Sequence, residues 1–275
     1  MRQNRKIVIT ALTALALLVT LALFCWRQNN ALTVSRYEYT SDKVGRELDG
    51  FTIVHLSDLH NHTFGAGQAK LLEEVAGLEP DLIVITGDLV DRRRTDLDPA
   101  LALARGLTEL AQVYYVTGNH EWSISPLDRQ TLLEGLEEAG VTVLDDRAVR
   151  MQEGFWLIGL SNQSLRDSTL TGLMEGCGDG ALTVLLAHQP QYLERYAAAG
   201  VDLAFAGHAH GGQIRLPLIG GLYAPGQGFF PQLTQGLHTS GGTTLVISRG
   251  MGNSAFPLRL FNRPEIVALT LRADS

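Results

Sequence analysis

Two histidines stand one residue apart in Gly207-His208-Ala209-His210-Gly211-Gly212, after the apolar run Val201 to Ala206. Neutral imidazole is the commonest metal ligand. Alternate side chains of an extended segment point to opposite faces, but a glycine-flanked turn can bring both rings to one point. A lone His-x-His says little. Its weight comes from four other stretches in which an apolar run ends in ligand-type residues. Phe51 to Ser57 leads to Asp58-Leu59-His60, and Leu82 to Gly87 leads to Asp88, with Asp91 three residues on. Val113 to Gly118 leads to Asn119-His120-Glu121, and Leu182 to Ala187 leads to His188.

These residue types limit the chemistry. A mixed set of imidazole, carboxylate and amide donors suits divalent Mn, Fe, Zn or Mg ions, not a thiolate-loving site. The chain has two cysteines, Cys25 and Cys177, with no C-x-x-C spacing, which argues against a zinc ribbon or a disulfide framework. A net charge of -7 argues against a nucleic-acid duplex held on a broad basic surface. A nucleotide held at metal ions stays possible, because the ions themselves supply positive charge.

Ligands of α/β folds bind at the carboxyl ends of strands, so each apolar run should be a strand that delivers its ligands to a shared edge. Helical spacing of apolar residues predicts helices over Gln68 to Leu78, Pro99 to Leu110 and Pro126 to Ala139, and another from His188 to Ala199. After Gly140 the pattern shortens. Val141 to Leu144, Val149 to Gln152 and Phe155 to Leu160 should begin a second sheet, and Thr243 to Ser248 and Glu265 to Leu271 should be strands near the C-terminus. Strand–helix alternation followed by strand-rich runs predicts two packed sheets flanked by helices, in one domain without internal repeats.

Ile7 to Trp26 is a run of 20 uncharged, mostly apolar residues, enough to cross a bilayer as a helix. Arg2, Arg5 and Lys6 precede it, which places the N-terminus in the cytoplasm and the rest of the chain outside. The alternative is a cleaved signal peptide. Against it, the apolar run is longer than the usual signal core and no small-x-small site follows cleanly. The expected organisation is a cytoplasmic stretch 1–6, an anchor 7–26, a polar linker and first strand (Thr33 to Thr40) within 27–48, and a catalytic domain 49–275.

The ordered blocks D-x-H, G-D-x-x-D, G-N-H-E, H and G-H-x-H, from Phe51 to Gly212, resemble the calcineurin-like metallophosphoesterases. Gly211-Gly212-Gln213, the segment Leu222 to Gly226 and the anchor are similar to their membrane-associated bacterial branch. The resemblance implies an α/β fold, a four-layer α/β/β/α sandwich with an N-terminal transmembrane helix. It implies two divalent metal ions, one on Asp58, His60, Asp88 and His210, the other on Asp88, Asn119, His188 and His208. A bridging hydroxide would attack a phosphate mono- or diester, and His120 would protonate the leaving group or stabilise its charge. The substrate would be a phosphate ester, with a lipid or cell-envelope head group one option and a lipid-linked pyrophosphate another. A non-catalytic binding module would show lost ligands, and none is missing.

Other residues carry lesser expectations. Arg249, before a glycine, is a candidate for phosphate binding, and so is His62, close after the first block. His55 should be packed in the core, Asp91 should stand behind a metal ligand or be a turn residue, and Glu121 should orient a histidine. His238 should be solvated in a polar turn, and Arg92-Arg93-Arg94 should form a solvated loop near the site. The apolar segment Leu216 to Phe230 is a candidate lipid-facing lip.

Overall fold

The computed structural model describes residues 2–166, 168–178 and 180–274. Met1 and Ser275, the outer bounds of the expected cytoplasmic stretch and catalytic domain, lie outside the described residues, as do Asp167 and Asp179.

The apolar N-terminal run forms α1 (Arg2–Asn30), long and apolar enough to cross a membrane and not buried by the rest of the chain. The polar residues expected to be a linker continue the helix instead. Asn29 and Asn30 donate their side-chain amides to the carbonyls of Cys25 and Trp26 one turn back, which extends the helix past the apolar run. The chain then enters β1 (Thr33–Ser41) and, after a short turn, β2 (Thr52–Leu56).

Strands and helices alternate from there: α2 (Ala69–Ala76), β3 (Leu82–Ile85), α3 (Asp98–Leu107), β4 (Gln112–Tyr115), α4 (Pro126–Glu138) and β5 (Thr142–Val143). Next come β6 (Arg147–Arg150), β7 (Trp156–Gly159), α5 (Thr169–Glu175), β8 (Thr183–Leu186), α6 (Leu193–Ala198) and β9 (Leu203–Ala206). Two small hairpins follow, β10 (Arg215–Leu216) with β11 (Gly220–Gly221) and β12 (Tyr223–Ala224) with β13 (Gly228–Phe229). The remaining strands are β14 (Gly236–Ser240), β15 (Thr243–Ile247) and β16 (Glu265–Ala273).

One six-stranded sheet has the order β1-β16-β2-β3-β4-β5 and the other β14-β15-β9-β8-β7-β6. Strands β2 to β5 run parallel, as do β7, β8, β9 and β15, so their carboxyl ends gather at one edge of each sheet. Three apolar layers hold the sheets and helices together. Leu71, Val75, Leu103, Leu107, Leu132 and Leu136, at four-residue spacings on α2, α3 and α4, pack on one face of the first sheet. Its other face meets the second sheet through Ile53, Val84, Leu186 and Phe205, and the outer face of the second sheet packs against Leu193 and Tyr196 of α6. The result is the α/β/β/α order. Each fully buried leucine contributes ~1.5–3 kcal/mol of transfer free energy.

Several local expectations differ from the structure. Thr142 and Val143 pair with Tyr114 and Tyr115, so β5 closes the first sheet instead of opening the second. A single turn at Pro190–Tyr192 precedes α6, which starts later than His188. Helix α5 and strand β14 have no counterpart in the sequence reading. His238 sits in β14 opposite Leu245, with Nε2 3.0 Å from the Gln235 carbonyl, not in a polar turn.

Candidate metal centre

The strand ends turn sharply to bring their side chains inward. Asp58, His60, Asp88, His208 and His210 all have positive φ, between 45° and 64°. Such backbone costs ~1–3 kcal/mol per residue and persists only where the surroundings over-determine it. Here they do. The buried carboxylate of Glu121 accepts N–H groups of Asp88 (2.9 Å), Leu89 (2.7 Å) and Gly118 (2.8 Å). Glu121 therefore fixes the turn that carries Asp88, and does not orient a histidine as expected. Asp88 Oδ1 accepts the His120 N–H at 2.8 Å, and the Asp58 carboxylate accepts the His208 N–H at 3.0 Å, which ties the two sheets at the site. A side chain at Gly118 would strike Asp88, and one at Gly207 would strike Ser57 and Asp58, so glycine is required at both close approaches.

The side chains form two groups that share Asp88. In the first, His60 Nε2 lies 3.2 Å from His210 Nε2 and 3.8 Å from Asp58 Oδ1, and His210 Nε2 lies 3.4 Å from the same oxygen. In the second, His188 Nε2 lies 3.1 Å from Asn119 Oδ1 and 3.1 Å from His208 Nδ1. Asp88 Oδ2 is 3.2 Å from His188 Nε2 and 3.6 Å from His60 Nε2, so it stands between them. All seven residues expected as ligands converge at this place. Asp91 adjoins the first group, 3.7 Å from His60 Nδ1, and turns its other oxygen to the Arg93 N–H.

The charges at the centre suit a cation. Asp58 and Asp88 are buried, and among the described residues their ion-pair partners are histidines alone. Burial works to raise the Asp58 carboxyl, but His210, His60 and His188 hold it well below the usual range. Burial likewise opposes charge on His188, and the Asp88 charge outweighs it, pushing the ring up to about 9. Burial lowers His208 to about 4 and His210 to about 3. The Nδ1 of His188 faces the Thr86 carbonyl at 2.7 Å and donates to it, so Nε2 carries the ring's second proton or, once a metal displaces that proton, presents a lone pair. That lone pair faces the Asp88 carboxylate oxygen and the Asn119 amide oxygen, each within hydrogen-bond distance of it. Only a proton or a cation relieves three electron-pair donors so placed, and a histidine held from behind by a carbonyl is the usual form of a metal-bound ring. The donor set fits divalent metal.

His120 is arranged differently. Its Nδ1 accepts the Arg92 N–H at 3.0 Å, so a neutral ring carries its proton on Nε2. That Nε2 lies 4.0 Å from Asp88 Oδ2 and 3.4 Å from Ser254 Oγ. Burial lowers the ring to about 4, so it is neutral near pH 7 and offers an N–H, not a full positive charge. His120 opens on a cavity of about 180 Å³ that also touches Asp88, Arg92, Asn119, His208 and His210, with Gln213, Tyr223, Pro225, Ser254, Ala255 and Phe256 completing its wall.

The remaining candidates fall elsewhere. Arg249 is committed to Glu265, with its guanidinium 2.9 Å from Oε1, and stays outside the cavity wall. Its place at a strand end before glycine suggested phosphate binding, but the same place puts it within reach of the first residue of β16. His62 also stays outside, its ring 4.5 Å from that of Phe64. His55 is a core residue, with Nε2 2.7 Å from Thr86 Oγ1. Sequence reasoning missed Asn61, whose side chain accepts the Asp91 N–H at 3.1 Å and donates to the Arg94 carbonyl, shaping the loop that holds His120. It also missed Ser254 and Phe256, which follow no motif and reach the cavity only through the path of the chain. Asn61, next to His60, was open to inference as the polar residue closing the first block.

Comparison with known proteins follows the same blocks. A family model described as calcineurin-like phosphoesterase matches residues 51–212. The chain is 30% identical to the metallophosphoesterase YkoQ of Bacillus subtilis, over 78% of this chain and 81% of that one. It is 30% identical to the phosphodiesterase YaeI of Escherichia coli, over 80% of this chain and 82% of that one. A transmembrane protein with metallophosphoesterase domain from Bos taurus is 32% identical, over 94% of this chain and 62% of its own length.

Proposed function

Since the chain belongs to the calcineurin-like phosphoesterase family, we propose that it hydrolyses phosphate mono- or diesters at a centre for two divalent ions, Mn, Fe, Zn or Mg. The observation that carries this reading is the shared Asp88 oxygen, 3.2 Å from His188 Nε2 in one ligand group and 3.6 Å from His60 Nε2 in the other. Asp58, His60, His210 and Asp88 would hold one ion, and Asp88, Asn119, His188 and His208 the other. Bound there, the ions supply Lewis acidity that lowers the pKa of water and offsets charge on the phosphoryl oxygens.

The chain's own groups do the rest. Asn119 contributes an oxygen without a further negative charge, which keeps the centre positive enough to draw in a phosphate. His120 presents Nε2–H to the cavity, fixed from behind by the Arg92 N–H. It would hydrogen-bond the leaving oxygen through that N–H and stabilise the charge developing there as the phosphorus–oxygen bond breaks, a contribution of ~10²- to 10³-fold. Tyr223, Pro225 and Phe256 narrow the cavity and limit water around the ester.

The apolar α1 supports a membrane enzyme, and Arg2, Arg5 and Lys6 before the span support an N-terminus inside and a phosphoesterase domain outside the cytoplasm. A reporter fused after Ser275 should be active only outside, and activity only inside would reverse the orientation. The catalytic reading is tested on the full chain in detergent. Nitrophenyl mono- and diesters should be cleaved with metal, not after chelation, and again once metal is restored. Cleavage indifferent to chelator, or no cleavage of either ester by metal-loaded protein, would overturn it.

A further inference from the structure

We propose that the substrate is a phosphate ester carrying a long hydrocarbon chain, taken directly from the bilayer in which α1 lies. This inference rests on the phosphoesterase reading and names the substrate class of that site.

The observation is a collar of exposed apolar residues at the mouth of the cavity. Among the described residues after α1, nine of the thirteen exposed large hydrophobics lie in just two stretches, 216–230 and 256–261. The collar projects Leu218, Ile219, Phe229, Phe230 and Phe261 into solvent, with Leu218 fully exposed and Phe229 77% exposed. Three of them, Leu218, Phe230 and Phe261, sit at φ of 68°, 54° and 52°. Bulky side chains rarely adopt that backbone. Strain combined with apolar exposure is unfavourable twice over in water, and strained backbone of this kind clusters at sites of function.

The two stretches are one surface. Gln213 donates its side-chain amide to the carbonyls of Phe256 (2.9 Å) and Leu258 (3.1 Å), and the Arg215 N–H donates to the Leu260 carbonyl at 2.9 Å. The β10–β11 hairpin carries Leu218 and Ile219 between its strands, and the Tyr223 ring lies 5.4 Å from that of Phe229. Tyr223 and Phe256 belong at once to the collar and to the cavity wall with Asp88 and His120.

The occupant of this surface follows from α1. The last turns of that helix are bound to the same stretch: the Phe24 ring lies 5.7 Å from Phe261, and Asn29 Oδ1 accepts the Asn253 side-chain amide (2.8 Å) and the Arg259 N–H (3.0 Å). A collar fastened to the end of a membrane-crossing helix lies at the level of that membrane's interface, where aromatic and aliphatic side chains are favoured. The head group of a membrane amphiphile would then reach the metal centre past Tyr223 and Phe256 while its chain stays in lipid.

Two diesters with the same scissile bond test this: ethyl para-nitrophenyl phosphate, which is soluble, and hexadecyl para-nitrophenyl phosphate, which partitions into bilayers. The full chain, loaded with manganese, is placed in nanodiscs of phosphatidylethanolamine and phosphatidylglycerol. The wild type should prefer the hexadecyl ester by ~10-fold or more in kcat/KM. The combined variant Leu218→Ser, Ile219→Ser, Phe230→Ser should lose that preference and keep the ethyl-ester rate within about twofold. Equal handling of both esters by the wild type, or an undiminished preference in the variant, would overturn the proposal. Should the combined variant fail to fold, Ile219→Trp decides. Its added fluorescence, measured against wild type, should be quenched by brominated lipid, and an unquenched signal also overturns the proposal. Cleavage of the ethyl ester alone leaves the phosphoesterase reading standing and removes only the lipid substrate. If metal-loaded protein cleaves neither diester, the lipid-substrate proposal falls, and the phosphoesterase reading falls with it when the nitrophenyl monoester is left intact as well.

Discussion

Thr86 holds His188 from behind: its carbonyl oxygen accepts a hydrogen bond from Nδ1–H at 2.7 Å, which turns Nε2 onto Asp88 and Asn119. Thr86 is the residue after β3, so the strand that delivers Asp88 from the first sheet also orients the histidine delivered by the second. The two halves of the centre are set by one short piece of backbone.

The shared position of Asp88 gives the first prediction. Asp88→Asn removes a charge that both ligand groups use, so both ions should bind more weakly and turnover should fall with occupancy. The loss in metal affinity should exceed the ~10- to 100-fold typical of removing an outer partner. Metal analysis after dialysis checks it. A variant that keeps two ions per chain would show that Asp88 does not bridge.

His120→Asn should behave in the opposite way. The seven ligands remain, so metal content should persist. Turnover on an ester with a poor leaving group should drop ~10²-fold or more, while a nitrophenolate, which needs little stabilisation of its charge, should suffer visibly less. Loss of metal in this variant would make His120 a ligand.

Close approach at Gly207 gives a third. An added methyl group at Gly207→Ala would meet Ser57 and Asp58, so the strand ends must separate. The thermal midpoint should fall by an amount equivalent to ~1–3 kcal/mol, with weaker metal binding alongside. Gly172→Ala, in α5 with open space at that position, is the control and should be neutral or slightly stabilising. Equal effects of the two substitutions would remove the steric account.

His55 sets a pH dependence. Burial lowers its ring to about 3, from the ordinary value of 6.5 in an unfolded chain. Between those values the unfolded state binds the extra proton, so stability is full above pH 6.5 and falls as the pH drops towards 3, by up to ~1.4 kcal/mol per pH unit from this group. His55→Gln should flatten the acid side of a plot of thermal midpoint against pH relative to wild type. An unchanged slope would show that His55 does not contribute.

The site was far more legible in the sequence than its surroundings. Each ligand followed a run of buried β-branched and aliphatic residues, because parallel strands covered on both faces read as continuous apolar stretches. Ligand identity and strand position therefore came from the same signal. The misreadings share a cause. β5 pairs only two residues and carries no period of its own, so its sheet was decided by the neighbouring β4. β14 is the edge strand Gly236–Ser240, with the sequence Gly-Leu-His-Thr-Ser, and too polar to reveal an extended segment. Arg249 was ambiguous because a guanidinium serves a carboxylate as well as a phosphate, and only the register of β16 supplied Glu265. The join between helix and domain was hidden for a similar reason, since Asn29 looks like linker until Asn253 and Arg259 are placed beside it.

Strand β16 lies between β1 and β2, pairing Thr33 with Glu265 on one side and Thr52 with Thr270 on the other. The first sheet thus joins its earliest strands through residues synthesised more than two hundred positions later. Contacts so distant in sequence are slow to form, and β1 has no partner in that sheet until they do. Residues 265–273 must leave the ribosome, and in the orientation proposed above they must also cross the membrane, before the sheet can close. Maturation of this enzyme is therefore timed by the arrival of its last strand, and until then the open edges of β1 and β2 are surfaces for a chaperone to guard.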